Sequence, residues 1–352
     1  MMVWKVAREL EQPAGGFLNP HAMSEGELDS GDALNPSEME TVSGGEIGMA
    51  VDYLTRYQLT GNLAEAFTIS LKGAEKIGKL GTAEKLLKII HSLDKDSVLA
   101  AIELSSFDVV VRNPMAFING GWNPARDVSD ETIKNIQIMV KRCLQLFEKY
   151  GPVADYELVF PGAYTDNVSS GDADYMTADT LWDIKTTKTD INIDETFQLL
   201  LYYLLSQHSE LDKYKNIERI GIYNPRLNKV HLIAVDDIDK RILSYINRFV
   251  IGYKDEEASL SDLKDALDSR PKYPHQRNKK GTAKLLDQLV KLDSPEREKV
   301  YLLRMIKAEH IRSMLAESIE EDNIRTAEEA WKKSVELMKK YNERPRRPFL
   351  DC

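Results

Sequence analysis

One helical segment that is apolar almost all round constrains the fold more than any other feature. Residues 196–205 read TFQLLLYYLL, and apart from Thr196 and the two tyrosines Gln198 is the one polar side chain. A helix that is apolar on every side has to be buried between other elements. The sequence therefore predicts a helix over 195–207 that lies in the core.

Five short runs with β-type composition predict the strands around this helix. They span residues 156–160, 173–176, 181–186, 219–223 and 229–235. The 177–180 segment and Asn224-Pro225-Arg226 are typical of tight turns between strands. Helical periodicity occurs at 45–56, 62–79, 82–92 and 129–150. These elements together predict an α/β or α+β fold with a sheet core.

Composition limits the function classes. The 352 residues include 47 basic and 57 acidic ones, a net charge of −10, which argues against a protein that coats nucleic acid without selection. No apolar run approaches the length of a membrane span. The two cysteines, Cys143 and Cys352, are interpreted as free thiols in a reducing compartment. We expect a cytoplasmic protein with no membrane association.

The chain divides into three predicted regions. Residues 1–40 are acidic and rich in proline and glycine, which predicts an irregular N-terminal arm. Residues 41–255 hold the predicted sheet core, and residues 256–352 are predicted to form a helical module that binds substrate or a protein partner. Within this module, Ser294-Pro295-Glu296 is a typical helix start.

Two carboxylates and an amine are predicted to converge at a sheet edge. Asp183 and Lys185 are two positions apart on a predicted strand and therefore share a face, and Asp174 lies across the turn beside Asp183. Alone, an Asp-x-Lys triplet is more often a solvated strand edge. Here Trp182 and Ile184 occupy the opposite face as core residues, which favours a site. Such carboxylates can hold Mg²⁺, and the lysine can orient water or offset charge on a phosphate.

The apolar helix adds two polar groups on one face. Gln198 and Tyr202 are separated by four positions and lie above one another. A buried glutamine needs hydrogen-bond partners. An active-site edge would supply them, and a structural glutamine that caps a neighbouring strand is the alternative.

These residues resemble a known family. In order and spacing, Gly171-x-x-Asp174, Asp183-Ile184-Lys185 and Gln198-x-x-x-Tyr202 resemble the RecB-type branch of the PD-(D/E)xK nuclease superfamily. The resemblance covers about residues 45–236. It implies a restriction-endonuclease-like α/β fold, in which a mixed central sheet is flanked by helices, with a helical C-terminal extension here. It also implies phosphodiester hydrolysis that depends on Mg²⁺ or Mn²⁺.

The resemblance assigns roles to individual residues. The catalytic set it implies is Asp174, Asp183, Lys185, Gln198 and Tyr202, and the metal set is Glu46, Asp174, Asp183 and Ile184. For the acid that precedes the sheet, Glu46 is preferred and Glu157 is the competing candidate. The RecB-type branch often has a histidine on that helix, and this sequence offers Asp52 there instead.

A basic segment beyond the predicted core is the candidate nucleic-acid contact. Tyr273, Arg277, Lys279 and Lys280 suit a loop that grips a phosphate backbone, and a solvated linker is the alternative. The leading hypothesis is a metal-dependent deoxyribonuclease. The motifs favour exonuclease action in recombination, phage replication or defence, while endonuclease action and RNA stay open. The competing hypothesis is a non-catalytic nucleic-acid-binding or assembly subunit that keeps the fold.

Overall fold

The computed structural model describes residues 1–271, except residues 11, 29–30, 120–121, 123, 125–126 and 256. The predicted nucleic-acid contacts Tyr273, Arg277, Lys279 and Lys280 lie outside the described residues. So does most of the predicted C-terminal module, of which helix α12 (Leu260–Asp268) is described.

A mixed six-stranded sheet forms the centre of the fold, in the order β1-β6-β5-β4-β3-β2. The strands are β1 (Ser24–Glu27), β2 (Asp155–Leu158), β3 (Ala173–Met176), β4 (Thr180–Ile184), β5 (Arg219–Asn224) and β6 (Lys229–Ala234). Strands β4 and β5 are parallel, and every other neighbouring pair is antiparallel. The five predicted strands correspond to β2–β6, which confirms the predicted α/β class and the mixed sheet.

The apolar helix connects the two parallel strands. Helix α10 (Ile193–Gln207) begins at Asn192, whose side chain accepts from the backbone N–H groups of Asp194 and Glu195, while the Glu195 carboxylate accepts from the Asn192 backbone. Reciprocal capping of this kind satisfies N–H groups that the first helical turn leaves unpaired. Ten of its residues are buried, as expected for a helix that is apolar on every side.

Helices cover both faces of the sheet, and each face has its own apolar cluster. One cluster includes α10 and two further helices, α1 (Val3–Glu9) and α11 (Lys240–Tyr245). The other is built largely on α2 (Gly44–Thr60), α6 (Lys95–Ser105) and α9 (Asp130–Tyr150). The alternation of a strand divides its side chains between them: Leu181 belongs to the first cluster and Trp182 to the second. Among the described residues, no helix is long and apolar enough to cross a membrane.

The remaining helices extend the α2 side. They are α3 (Leu63–Ala66), α4 (Thr68–Lys76), α5 (Leu80–Ile89), α7 (Asp108–Arg112) and α8 (Pro114–Ile118). The predicted segments 62–79 and 82–92 correspond to α3–α5, whereas α6, α7 and α8 were not predicted. The helix predicted over 129–150 is α9, which begins after the capping residue Ser129.

The prediction of an irregular N-terminal arm is wrong in two places. Helix α1 buries Val3 and Val6 in the core, and β1 pairs with β6 as an edge strand, with Ser24 opposite Leu232. The sheet therefore extends beyond the predicted 41–255 core. Strand β1 reads SEGE and has no apolar alternation, because it adds to the sheet through backbone hydrogen bonds and stays exposed at the edge.

Candidate active site

The β3–β4 hairpin brings the two predicted aspartates together. Tyr175 lies opposite Trp182 in this hairpin, and continuing the register by one position sets Asp174 opposite Asp183. Asp174 Oδ2 accepts a hydrogen bond of 2.7 Å from the backbone N–H of Ile184. The carboxylates therefore meet where β4 ends.

Lys185 links this carboxylate pair to helix α10. Its Nζ lies 2.8 Å from Asp183 Oδ2 and donates to Gln198 Oε1 at 3.2 Å. Gln198 Nε2 in turn donates to the Tyr202 hydroxyl at 2.9 Å. The structure thus brings Asp174 and the other predicted catalytic residues into one connected group. Gln198 and Tyr202 lie above one another on α10, as their i, i+4 spacing predicts.

Burial and like charge alter the protonation of this group. Burial, followed by the nearby charges of Asp183 and Asp52, raises the pKa of Asp174 well above its ordinary value. Burial also raises the pKa of Asp183, although the ammonium of Lys185 opposes the shift. These are the effects expected when two carboxylates share a site that is short of positive charge.

Lys185 and Tyr202 respond differently to the same environment. Burial disfavours the ammonium of Lys185, but the carboxylates of Asp183 and Asp174 outweigh it and raise the lysine pKa. Lys185 therefore stays charged at neutral pH and acts as a hydrogen-bond donor. Burial and the Asp183 charge raise the pKa of Tyr202 well above its ordinary value, so its phenol stays neutral.

A cleft opens between these strand ends and α2. Its charged lining consists of four acids and two arginines: Asp52, Glu157, Asp172, Asp174, Arg56 and Arg112. Asp52 receives a hydrogen bond of 2.8 Å from the Tyr175 hydroxyl and is close enough to Asp174 to raise its pKa. The excess of acids makes the cleft suited to bind a cation.

Glu46, the preferred acid in the sequence, is not the α2 residue that faces Asp174. It lies in the first turn of α2, where its carboxylate accepts from the Ser43 backbone N–H at 3.3 Å and from the Ser43 hydroxyl at 2.7 Å. Asp52, two turns further along, is the acid that α2 contributes to the cleft. The motif Ser43-Gly-Gly-Glu46 is a capping box, which explains the acid at this position without a metal.

The competing candidate Glu157 does line the cleft. It lies in β2 between Tyr156 and Leu158, at the position opposite Asp174, and forms an ion pair with Arg56. Its φ of 48° is in the left-handed region that residues other than glycine rarely adopt. Strain of this kind persists only where surrounding contacts enforce it, and it is concentrated at functional sites.

The donor set at the strand ends fits a hard divalent cation. Asp174, Asp183 and the carbonyl group of Ile184 offer oxygen ligands, the kind that Mg²⁺ and Mn²⁺ prefer. Asp183 Oδ2 is buried and, apart from its ionic contact with Lys185, has no well-aligned hydrogen bond among the described residues. Both carboxylates have raised pKa values, and one buried oxygen is incompletely paired. A cation bound here would offset the negative charge and pair with that oxygen.

A second acidic group is less suited to one. In the described part of the chain, Glu25, Asp190 and His231 are close enough to share an ion, at the edge where β1 pairs with β6. However, Lys229 Nζ lies 2.9 Å from Glu25 and 2.6 Å from Asp190. The lysine already pairs with both carboxylates and offsets one of their two negative charges.

Two glycines allow the close packing around the site. A Cβ on Gly171 would lie 2.5 Å from Val3 Cγ2 and 3.2 Å from Tyr202 Cε1. A side chain at position 171 would therefore collide with α1 and crowd Tyr202. A Cβ on Gly48 would lie 2.9 Å from Thr186 Oγ1. The absence of a side chain at Gly48 therefore lets α2 lie close to Thr186, just beyond the end of β4.

Glu195 and Arg112 are among the residues near the site that sequence reasoning missed. Glu195 is half-buried near Lys185, and burial raises its pKa; the capping motif Asn192-x-x-Glu195 was the available signal. Arg112 lines the cleft from α7, and no local motif marked it because its segment was not predicted to be helical.

Comparison with models of known protein families gave no match to this chain, and comparison with curated proteins gave no significant match.

Proposed function

We propose that this protein is a divalent-metal-dependent nuclease that hydrolyses phosphodiester bonds in DNA. The observation that carries the proposal is the convergence of Asp174, Asp183 and Lys185 at adjacent strand ends, with Lys185 held by Gln198. DNA as the substrate, and the preference for exonuclease action, rest on the resemblance of the three motifs to the RecB-type branch.

The residues of the chain divide the chemistry between them. Asp174, Asp183 and the Ile184 carbonyl group would hold Mg²⁺ or Mn²⁺, and the bound ion would polarise the phosphate and make a water molecule easier to deprotonate. Lys185 donates a hydrogen bond either to the attacking water or to the phosphate oxygen on which charge develops. Its raised pKa makes it unsuitable as a general base at neutral pH. In hydrolysis the water oxygen bonds to phosphorus as the bond to the leaving sugar oxygen breaks, and the proton that the water loses passes through solvent to that leaving oxygen.

The neighbouring side chains fix the position of Lys185. A lysine has four rotatable side-chain bonds and is a precise donor only when its ammonium is held in place. Asp183 and Gln198 hold the ammonium from two directions, and Tyr202 fixes the Gln198 amide. We expect Gln198→Ala to reduce kcat by about 10-fold to 100-fold, because misplacing a catalytic group by about 1 Å has an effect of this size.

The test of the proposal is cleavage of labelled linear, circular and single-stranded DNA, and of RNA, with Mg²⁺, Mn²⁺ or EDTA. Asp174→Asn and Lys185→Ala are expected to abolish cleavage. Asp179→Asn is the matched control, since Asp179 lies in the turn at the other end of the same hairpin and pairs with Arg219. Glu46→Gln tests the placement of the α2 acid and is expected to keep cleavage activity.

Each outcome has a definite meaning. Metal-dependent cleavage that is lost in Asp174→Asn and kept in Asp179→Asn supports the nuclease. Cleavage of circular DNA indicates endonuclease action, and cleavage of linear DNA alone indicates exonuclease action. Cleavage by Lys185→Ala at the wild-type rate contradicts the site. If no substrate is cut and Mn²⁺ does not raise the melting temperature, the nuclease proposal fails and a non-catalytic binding subunit becomes the better explanation.

A further inference from the structure

The two arginines that line the cleft differ in how completely they are paired. Arg56 is 4% exposed; its guanidinium pairs with both Asp52 and Glu157 and lies over the Tyr53 ring. Arg112 has a side chain that is 44% exposed, and its Nε is 3.1 Å from Asp108 Oδ2. Arg56 is therefore buried against two acids, whereas Arg112 leaves part of its guanidinium exposed at the cleft.

A buried aspartate holds Arg112 in this position. Asp108 is 1% exposed and receives hydrogen bonds from the Tyr53 hydroxyl and, at 2.6 Å, from the Ser70 hydroxyl. Ser70 can reach it because α4 approaches α7 closely at Gly73, where a Cβ would lie 2.1 Å from the Phe107 carbonyl oxygen. Three elements, α2, α4 and α7, thus contribute to fixing one guanidinium.

The Asp108–Arg112 ion pair, in which the carboxylate is buried and the arginine is partly exposed, is not an obvious source of stability. Burial raises the pKa of Asp108, which means that the protein loses free energy by keeping this carboxylate charged. Buried ion pairs are often no more stabilising than apolar residues of the same size. The arrangement does have a directional effect, since Nε is anchored and the remaining N–H groups have no strong acceptor among the described residues.

The groups around Arg112 indicate which kind of ligand it would bind. Arg112 shares the cleft with Asp174 and Asp172, so a ligand that it binds lies in the same cleft as one carboxylate of the candidate metal site. A guanidinium matches phosphate because its N–H groups form a planar fork that two oxygens can accept. A phosphodiester chain that enters an acidic cleft also needs a fixed positive group to offset repulsion.

We infer that Arg112 is a substrate-binding residue that contacts a phosphate next to the scissile one, with Asp108 as its positioning residue. This inference rests on the proposed function and adds the contact that holds the backbone in register. Removing one charge-assisted contact of this kind is expected to raise KM about 10-fold to 100-fold. Because the contact is equally strong in the ground state and the transition state, kcat should change little.

The test combines cleavage kinetics with the salt dependence of binding. Binding of a fluorescein-labelled oligothymidylate is measured by anisotropy over a range of NaCl concentrations, with Ca²⁺ as the cation. For Arg112→Gln, the slope of log Kd against log salt should decrease by about 0.7, the value for one phosphate contact on a single strand. Arg112→Lys keeps the charge without the fork and should keep the slope while raising KM moderately.

The controls separate binding from stability. Arg219→Gln removes an arginine that is 35% exposed and paired with Asp179 at the start of β5; its slope and KM should equal those of the wild type. Asp108→Asn should raise KM as Arg112→Gln does, with Ser70→Ala as a milder second variant if Asp108→Asn fails to fold. A purely structural role for Arg112 predicts lower stability with unchanged KM and slope.

Two negative results can be told apart. If wild-type protein binds and cleaves DNA, and Arg112→Gln matches it in KM and salt slope, the role of Arg112 is refuted and the proposed function stands. If the wild type neither binds the oligothymidylate nor cleaves any substrate, both proposals are overturned.

Discussion

Removing Lys185 should destabilise the metal-free protein, because this lysine compensates the charge of a buried carboxylate. The Lys185–Asp183 separation of 2.8 Å corresponds to a Coulomb attraction of about 6 kcal/mol at an effective dielectric constant of about 20. Part of that attraction only offsets the desolvation of both ions. Removing one partner of such a pair typically costs about 3–5 kcal/mol, which is the loss that we expect for Lys185→Met.

The assay is urea denaturation monitored by circular dichroism, in EDTA at mildly alkaline pH. It is applied to a double-mutant cycle of Lys185→Met, Asp183→Asn and the double variant. Asp183→Asn removes one of two carboxylates that repel each other. It should therefore lower the free energy of unfolding by less than Lys185→Met does. The double variant should be more stable than Lys185→Met alone, because one buried carboxylate fewer is left without a positive partner. Additive effects in this cycle would contradict the charge argument.

The dependence on pH provides a second check. In Lys185→Met the pKa of Asp183, which burial already raises, should rise further because the ammonium no longer opposes it. A raised pKa means that the folded state binds a proton more tightly than the unfolded state. Stability then falls as pH rises from the unfolded pKa through the folded one. The deficit of Lys185→Met should therefore shrink on acidification. A deficit below about 1 kcal/mol at mildly alkaline pH would refute the reasoning.

Two other predictions concern packing and reactivity. Gly171→Ala should lower the free energy of unfolding, measured by urea denaturation, by about 1–3 kcal/mol, because its Cβ meets Val3 and Tyr202. Gly81→Ala is the control, since a Cβ there meets nothing within 4 Å and should cause no loss of stability. Equal losses in the two variants would contradict the packing argument. Burial raises the pKa of the Cys143 thiol, so in a Cys352→Ser background iodoacetamide should label Cys143 only after unfolding; rapid labelling of the native protein would show that the thiol is accessible.

Local patterns were sufficient to predict five of the six strands, the buried helix and the grouping of the main candidate site residues. Asp174 and Asp183 are joined by a short hairpin, so the turn and the two-residue alternation of a strand fix their relation. Gln198 and Tyr202 share one helical turn, and the 3.6-residue period fixes theirs. In both cases the determining geometry lies within about ten residues, and backbone periodicity is reliable over that distance.

The acids and arginines around the group depended on long-range packing. Glu46 and Asp52 are on the same helix, and sequence periodicity does not say which of its faces meets the strand ends. Glu157 enters the cleft through an unusual backbone angle. Strand β1 carries no alternating pattern, because its pairing with β6 uses backbone groups that every sequence offers.

The sequence by itself determined the elements and the residues within each hairpin or helical turn, since short-range geometry follows from backbone periodicity. Only the tertiary structure decided which side chains from distant elements surround Asp174. Arg112 illustrates the difference: its position depends on Asp108, and through Asp108 on Ser70 of α4 and Tyr53 of α2. Contacts between elements that are far apart in the chain arise from packing, and no local spacing encodes them.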